Sequence, residues 1–173
     1  MAEDRSGRGA AVGTSGESLK LVGRAGVTCD IEASTALTRA RVGWLGTRDA
    51  EGTPHLVPVW FYWDGATITI YSKPHARKVR NLLDMPSVAF AVEPRAGRMC
   101  SVLIEGRADV FASTGSMEAG FRRKYGPAIR RAGMAAQSFA EIYPQAIRIT
   151  PTRIKKYGDL TAPQAAPELI AAP

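Results

Sequence analysis

From residue 41 onward, apolar positions recur mostly at a spacing of two, the period of a strand with a buried face. RVGWLGTRD (41–49) alternates in this way and runs into DAEGTP, whose Asp, Gly and Pro predict a hairpin turn. PHLVPVWFYW (54–63) is denser. One parity carries His55, Val57, Val59, Phe61 and Trp63; the other carries Leu56, Pro58, Trp60 and Tyr62. Bulk on both sides predicts that both faces are buried. Pro58 has no N–H to give a ladder, so it predicts an edge, a bulge, or a strand whose outer neighbour is a ligand or another chain. Asp64–Gly65 predicts a tight turn. ATITIYS (66–72), SVAFAVE (87–93), RMCSVLIEGRADVF (98–111) and QAIRITPTRIKKYG (145–158) follow as strands. Gly106 predicts a bulge or tight bend in one of them, and Pro151 an interruption in the last.

Three segments leave the two-residue period. DIEASTALTRA (30–40) predicts a short helix that Asp30 or Ser34 can cap. SKPHARKVRNLL (72–83) predicts a second, starting just after Pro74, with Ala76, Val79, Leu82 and Leu83 as its apolar stripe and Pro86 as its stop. SMEAGFRRKYG opens a third that, broken at Gly126–Pro127, continues through IRRAGMAAQSFAEIY. The order is a helix, four or five consecutive antiparallel strands, a helical excursion and a closing strand. Short strands joined by hairpins fit a small closed barrel, which leaves no open edge. The fold class is therefore mainly β with peripheral helices. Residues 1–18 are rich in Gly, Ser and Ala, and 161–173 in Pro and Ala; both are expected to be disordered tails around one domain over 19–160.

Composition narrows the class. A chain of 173 residues, 45% of them hydrophobic, can bury one substantial core. No stretch approaches the ~20 uninterrupted apolar residues of a membrane span. The N-terminus is acidic just after Met1 and has no apolar run of the secretory type, so the expected location is cytoplasmic. Cys29 and Cys100 make neither a disulfide framework nor a CxxC zinc site, and no metal is expected. The net charge of +7 admits nucleic acid, an anionic surface or an acidic small ligand. No helix-turn-helix, finger or RNP-like pattern accompanies it, so nucleic acid is not expected.

The charge matters most at one helix start. His55 and His75 are the only histidines, on different elements, and nothing nearby supplies partners for a triad. The predicted second helix, however, opens with His75, Arg77, Lys78 and Arg80, with Lys73 just before it. A helix N-terminus carries unpaired N–H groups and partial positive charge, so it favours an anion. A bound phosphate would reconcile the two, held by helix-start N–H groups, the Arg77 fork and the Lys78 point charge. Neither GxGxxG nor GxxxxGK[ST] is present, which excludes the Rossmann and P-loop versions of such a site.

The order of these features, from GWLGTRDAEGTPHLVPVWFYWDGATITIYSKPHARKVRNLLDMPSVAFAVE to VLIEGRADV, resembles the pyridoxamine 5′-phosphate oxidase-like split-barrel superfamily over about residues 40–112. IRITPTRI (147–154) gives weaker support. The resemblance implies a six-stranded antiparallel split β-barrel of the flavin-reductase type, usually a homodimer with two flavin sites at the subunit interface. In oxidases proper a tyrosine–threonine pair ends a strand and an arginine–lysine pair follows; Tyr71–Ser72 and Arg77–Lys78 hold those places here. The serine before that arginine is Ala76, and the basic segment that also holds the flavin phosphate corresponds to uncharged LVPVWF (56–61). The C-terminal arginine-rich substrate signature is missing too, which points away from vitamin B6 oxidation.

PHxVPVxF with RKxRNL is more similar to the branch that uses the deazaflavin F420, with FMN as the alternative. The implied cofactor-binding residues are Pro58, Trp60, Tyr71, Ser72, Arg77 and Lys78, with Arg80 and Asn81 in second rank. Tyr62 and His55 are weak candidates for a proton donor. Arg122, Arg123 and Lys124, or Arg153, Lys155 and Lys156, could meet the polyglutamate tail of F420. The implied reaction is hydride transfer to a small reducible organic substrate. A carrier or sensor that binds the same cofactor without turnover, and a basic module for nucleic acid or an anionic surface, are the alternatives.

Overall fold

The computed structural model describes residues 20–22, 27–93, 100–113 and 115–158. The predicted tails, 1–18 and 161–173, lie outside the described residues. Strands β1 (Lys20–Val22) and β2 (Thr28–Asp30) form a small antiparallel ribbon. Helix α1 (Ile31–Arg39) follows, capped by Asp30, whose carboxylate accepts the Ala33 N–H at 2.6 Å. Then come β3 (Gly43–Arg48), β4 (Pro54–Val59), β5 (Tyr62–Trp63), β6 (Ile68–Ser72), α2 (Arg77–Asp84), β7 (Ser87–Val92), β8 (Ser101–Ala112), α3 (Ala119–Arg131), α4 (Ala136–Ile142) and β9 (Gln145–Tyr157).

The larger sheet is antiparallel throughout and runs β4-β3-β7-β8-β9-β6-β5. Its two edge strands, β4 and β5, are consecutive in the chain and separated only by Trp60 and Phe61. Three trans Cα–Cα steps reach at most about 11 Å. The sheet must therefore curl until its edges nearly meet, the shape of a split β-barrel. Seven strands stand where six were expected, because the run 54–63 is two strands with a break at the seam.

The curl encloses one apolar core. Leu45, Phe61, Ile68, Ile70, Phe90, Ile104, Ile147 and Ile149 are completely buried within it. Leu37 of α1 and Val79 and Leu82 of α2 close its ends. Leu83, read as part of that stripe, is 68% exposed. One position past Leu82 it lies about 100° further round the helix and leaves the core-facing side. Gly43 is required by packing: a Cβ there would sit 2.1 Å from Cζ of Phe90.

Three further expectations are corrected. The two faces of 54–63 are not both buried: Leu56 is 63% exposed, and Pro54, Pro58 and Trp60 are exposed beside it. Pro54 and Leu56 lie on the outside of the edge strand β4, with no other part of the described chain over them, whereas Pro58 and Trp60 border a cavity against α3 and α4. Helix α3 does not break at Gly126–Pro127 but runs through Pro127. Proline removes one bond to the Arg123 carbonyl, and both residues are exposed, so water can take the freed acceptor. The helix ends instead at Gly133 (φ 72°), where Gly133 N–H reaches the Arg130 carbonyl and Met134 N–H the Ile129 carbonyl, a glycine C-terminal motif. Strand β9 likewise passes through Pro151. Gly106 pairs with Pro151 while Glu105 pairs with Arg153, so Thr152 is the extra residue of the bulge that Gly106 predicted. A Cβ on Gly106 would lie 2.6 Å from the Thr150 carbonyl oxygen.

Candidate functional site

Strand β6 delivers Tyr71 and Ser72 to a short turn, Lys73 to Ala76, from which α2 starts. Ala76 is the N-cap, in extended conformation; no side chain caps the helix, and its first turn holds no acidic residue. Successive residues of α2 then diverge by the helical period. Arg77 turns toward the β3–β4 hairpin, where its Nη2 donates to Asp49 Oδ2 at 3.0 Å. Asn81, four residues on, shares that face; it is buried and its Nδ2 donates to Thr47 Oγ1 at 3.0 Å. Asn81 is thus a tie between α2 and β3 rather than a free ligand group. Arg80 is exposed and has no described ion-pair partner.

Lys78, about 100° further round the helix, leaves the hairpin side and borders a cavity of about 340 Å³. Pro58, Val59 and Trp60 at the barrel seam, Tyr71 at the end of β6, and the inner sides of α3 and α4 line it. Trp60 stacks on Tyr125 with ring centroids 4.8 Å apart and planes 10° apart, and Phe139 lies beyond at 6.2 Å. Tyr71 meets Phe121 edge-on at 4.8 Å. Its phenolic oxygen accepts the Glu118 N–H at 2.7 Å.

Burial and charge act together here. Burial holds the Lys78 ammonium below its usual pKa. Burial, then the nearby Arg77 and Lys78 charges, lower His55. Asp49 ends below the ordinary carboxylate range: burial pushes it up, but the Thr53 N–H and the Arg77 guanidinium outweigh that. Among the described residues three buried polar atoms have no partner, and two of them, Ser72 Oγ and His55 Nδ1, belong to this part of the fold.

Four of the predicted cofactor residues, Pro58, Trp60, Tyr71 and Lys78, are brought together around one cavity. Ser72 and Arg77 flank it without lining it, and Arg80 and Asn81 lie apart. The two proton-donor candidates do not line it either: Tyr62 packs its ring against Gly120, where a Cβ would fall 2.0 Å from Tyr62 Cζ, and His55 sits on β4. Of the basic stretches, Arg153 and Lys155 lie within 4 Å of Glu105, and Lys156 pairs with Asp30 and Glu32. Arg122 and Arg123 are exposed. Sequence reasoning missed Phe121, Met134, Phe139 and Tyr143, which supply the helical wall. Their signal was the aromatic pairs Phe121/Tyr125 and Phe139/Tyr143, each four residues apart and so on one helix face. Among the described residues no three His, Cys, Asp or Glu side chains group to hold a metal, and no helix is long and apolar enough to cross a membrane.

A curled antiparallel sheet with an aromatic cavity at its seam and an uncapped, cation-bearing helix beside it defines a split-barrel protein of the flavin-reductase type. More narrowly, the chain belongs to the pyridoxamine 5′-phosphate oxidase family, which matches residues 30–158. Solved structures share the fold. A conserved hypothetical protein from Mycobacterium tuberculosis is 19% identical over 88% of this chain and 96% of its own, with a TM-score of 0.57. An F420 reductase is 21% identical over 70% of this chain and 94% of its own (TM-score 0.53). HutZ, the heme storage protein from Vibrio cholerae, is 17% identical over 73% and 93% (TM-score 0.56). No curated protein matches the chain in sequence.

Proposed function

We propose that this protein is an oxidoreductase that binds the deazaflavin F420 and delivers hydride to a small reducible organic molecule, with FMN as the alternative cofactor. The observation that carries the reading is the β6–α2 junction: an uncapped helix start without acids, two cations, and a buried Ser72 Oγ left without a partner. Such a donor set fits a phosphate. Arg77, Lys78 and Ser72 would hold the phosphate, while Trp60, Tyr71 and Pro58 would flank the ring system. When bound, the cofactor supplies the hydride chemistry. The chain's own part is to bind, orient and exclude water, and the aromatic lining of the cavity suits a flat conjugated ring. Ala76 and the uncharged LVPVWF segment depart from true pyridoxamine phosphate oxidases, and the likeness of PHxVPVxF with RKxRNL to the F420-using branch favours F420. An F420 reductase sharing the fold supports the same choice.

The uncovered outer face of β3 and β4, with Trp44 42% and Leu56 63% exposed, supports a homodimer whose second copy covers it. A carrier that binds without turnover is the second reading, favoured by the heme storage protein of the same fold. Titration of the full chain with F420, FMN and haem, followed by absorption, tests the proposal. Saturable binding of F420 more tightly than the others is expected; saturable binding of none would sink it. Reoxidation of the reduced cofactor is then followed with enones, quinones and tetrapyrroles as acceptors. Faster reoxidation with at least one supports the enzyme; acceleration by none favours the carrier.

A further inference from the structure

We propose that the protein carries a second binding site, for a small planar carboxylate, on the outer face of the sheet where β6, β9 and β8 meet the residues leading into α3. Tyr71 borders this site as well as the first cavity, but the other residues of the site are separate from the proposed cofactor contacts. A cavity of about 380 Å³ lies there, at the small end of ligand-binding pockets. The strand register builds its floor: Thr69 opposes Arg148, while Tyr71 and Phe111 both oppose Ala146. Directly opposed residues share a face, so these side chains converge.

The chemistry of this floor is unbalanced. The Arg148 guanidinium lies over the Phe111 ring, 5.0 Å from its centroid. Asp109 stands opposite it in the register and Glu118 lines the same cavity, yet among the described residues Arg148 makes no ion pair. Tyr71 accepts the Glu118 N–H through its oxygen, which leaves its own O–H proton to donate. Ser113 Oγ is buried without a partner and lines the same space. Asp64 also lies close enough to feel the Arg148 charge, yet the Arg148 guanidinium and the Tyr71 and Ser113 hydroxyls have no hydrogen-bond acceptor among the described residues. A guanidinium presents parallel N–H groups that match a carboxylate. The Phe111 face and the buried Met117 suit a flat apolar body attached to it. An aromatic or conjugated carboxylate combines the two.

The probe is benzoate, titrated by calorimetry into the full chain without cofactor. Saturable binding is expected, weakened at least about tenfold by Arg148→Gln, partly restored by Arg148→Lys, and unchanged by Lys78→Ala, which alters only the other cavity. Phe111→Thr, at a 39% exposed position, is the second variant should Arg148→Gln melt early; it too should weaken binding. Absence of saturable binding, equal binding by Arg148→Gln, or loss of binding in Lys78→Ala would each overturn the site. Inorganic phosphate binding more tightly than benzoate would overturn the planar carboxylate as its ligand.

Discussion

Tyr125→Phe removes one oxygen atom from the barrel seam, and the structure says what that should do. Tyr125 is completely buried. Its hydroxyl accepts the Phe61 N–H at 3.0 Å and has one proton for either the Phe61 carbonyl (2.7 Å) or the Arg41 carbonyl (2.8 Å). Phe61 is also completely buried and lies between β4 and β5, outside both. The hydroxyl therefore takes the part of a strand partner at the break between β4 and β5. The phenylalanine ring would keep the stacking on Trp60, so the loss is polar, not steric. A buried N–H left unmade costs about 1–3 kcal/mol and the second bond about 1 more, so the variant should be less stable by roughly 2–4 kcal/mol. That corresponds to about 4–16 °C in Tm for a domain of this size. Equilibrium unfolding in urea is the assay, with a lower midpoint and an unchanged slope expected. A loss below about 0.5 kcal/mol would refute the argument. Alkaline pH offers an independent check. Burial pushes the Tyr125 phenol from 10.0 up to about 12, against the Phe61 N–H and the Arg41 charge. The folded chain then holds a proton the unfolded chain releases, so wild-type stability falls as pH rises through that window, and the variant should lack this fall.

Three other perturbations have clear outcomes. Gly43→Ala would place a Cβ 2.1 Å from a fully buried ring carbon of Phe90, and urea unfolding should show a loss of ~1–3 kcal/mol. Leu56→Lys should turn the proposed dimer into a monomer in light scattering, with a melting temperature lowered only by the lost association; an unchanged mass would count against β4 as the contact face. Burial, reinforced by Arg41, holds Lys124 at about 8 rather than 10.5. The unfolded chain then binds more protons between those values, so stability should rise with pH across them, and Lys124→Met should abolish the rise.

Local signals were legible in the sequence, and signals that depend on what covers a surface were not. The Asp64–Gly65 turn is fixed by its own residues: Gly65 has φ 99°, and Asp64 accepts the N–H groups of Ala66 and Thr67. The start of α2 after Pro74 and the Gly106 bulge are of the same kind. The two-sided bulk of 54–63 was misleading because residue type does not say what lies beside a strand, and β4 is an edge strand on which Leu56 is 63% exposed. Pro127 misled for a different reason: the packing of Phe121, Tyr125 and Ile129 holds α3 together across a single missing bond. In the site, residue types pointed to the junction, but only the helical period separates Lys78, which enters the cavity, from Asn81, which enters the fold.

That separation also decides how the two cations at the junction differ. Arg77 already has an anion, Asp49, at 3.0 Å; Lys78 makes no ion pair among the described residues and is held in a half-buried position that lowers its pKa. A bound phosphate must compete with Asp49 for Arg77, but meets no competitor at Lys78. Lys78→Ala should therefore weaken F420 binding by the full value of a charge-assisted contact, ~1.5–3 kcal/mol or about 10- to 150-fold in Kd. Arg77→Ala should cost less, since the wild-type arginine gives up one partner to gain another. Asp49→Asn removes the competitor while its amide oxygen can still accept the Thr53 N–H that Asp49 Oδ1 takes at 2.7 Å, so binding should tighten. Kd values for the three variants from one absorption titration supply the comparison. An Arg77→Ala loss larger than that of Lys78→Ala, or a weaker Asp49→Asn complex, would place the negative charge of the ligand somewhere other than this helix start.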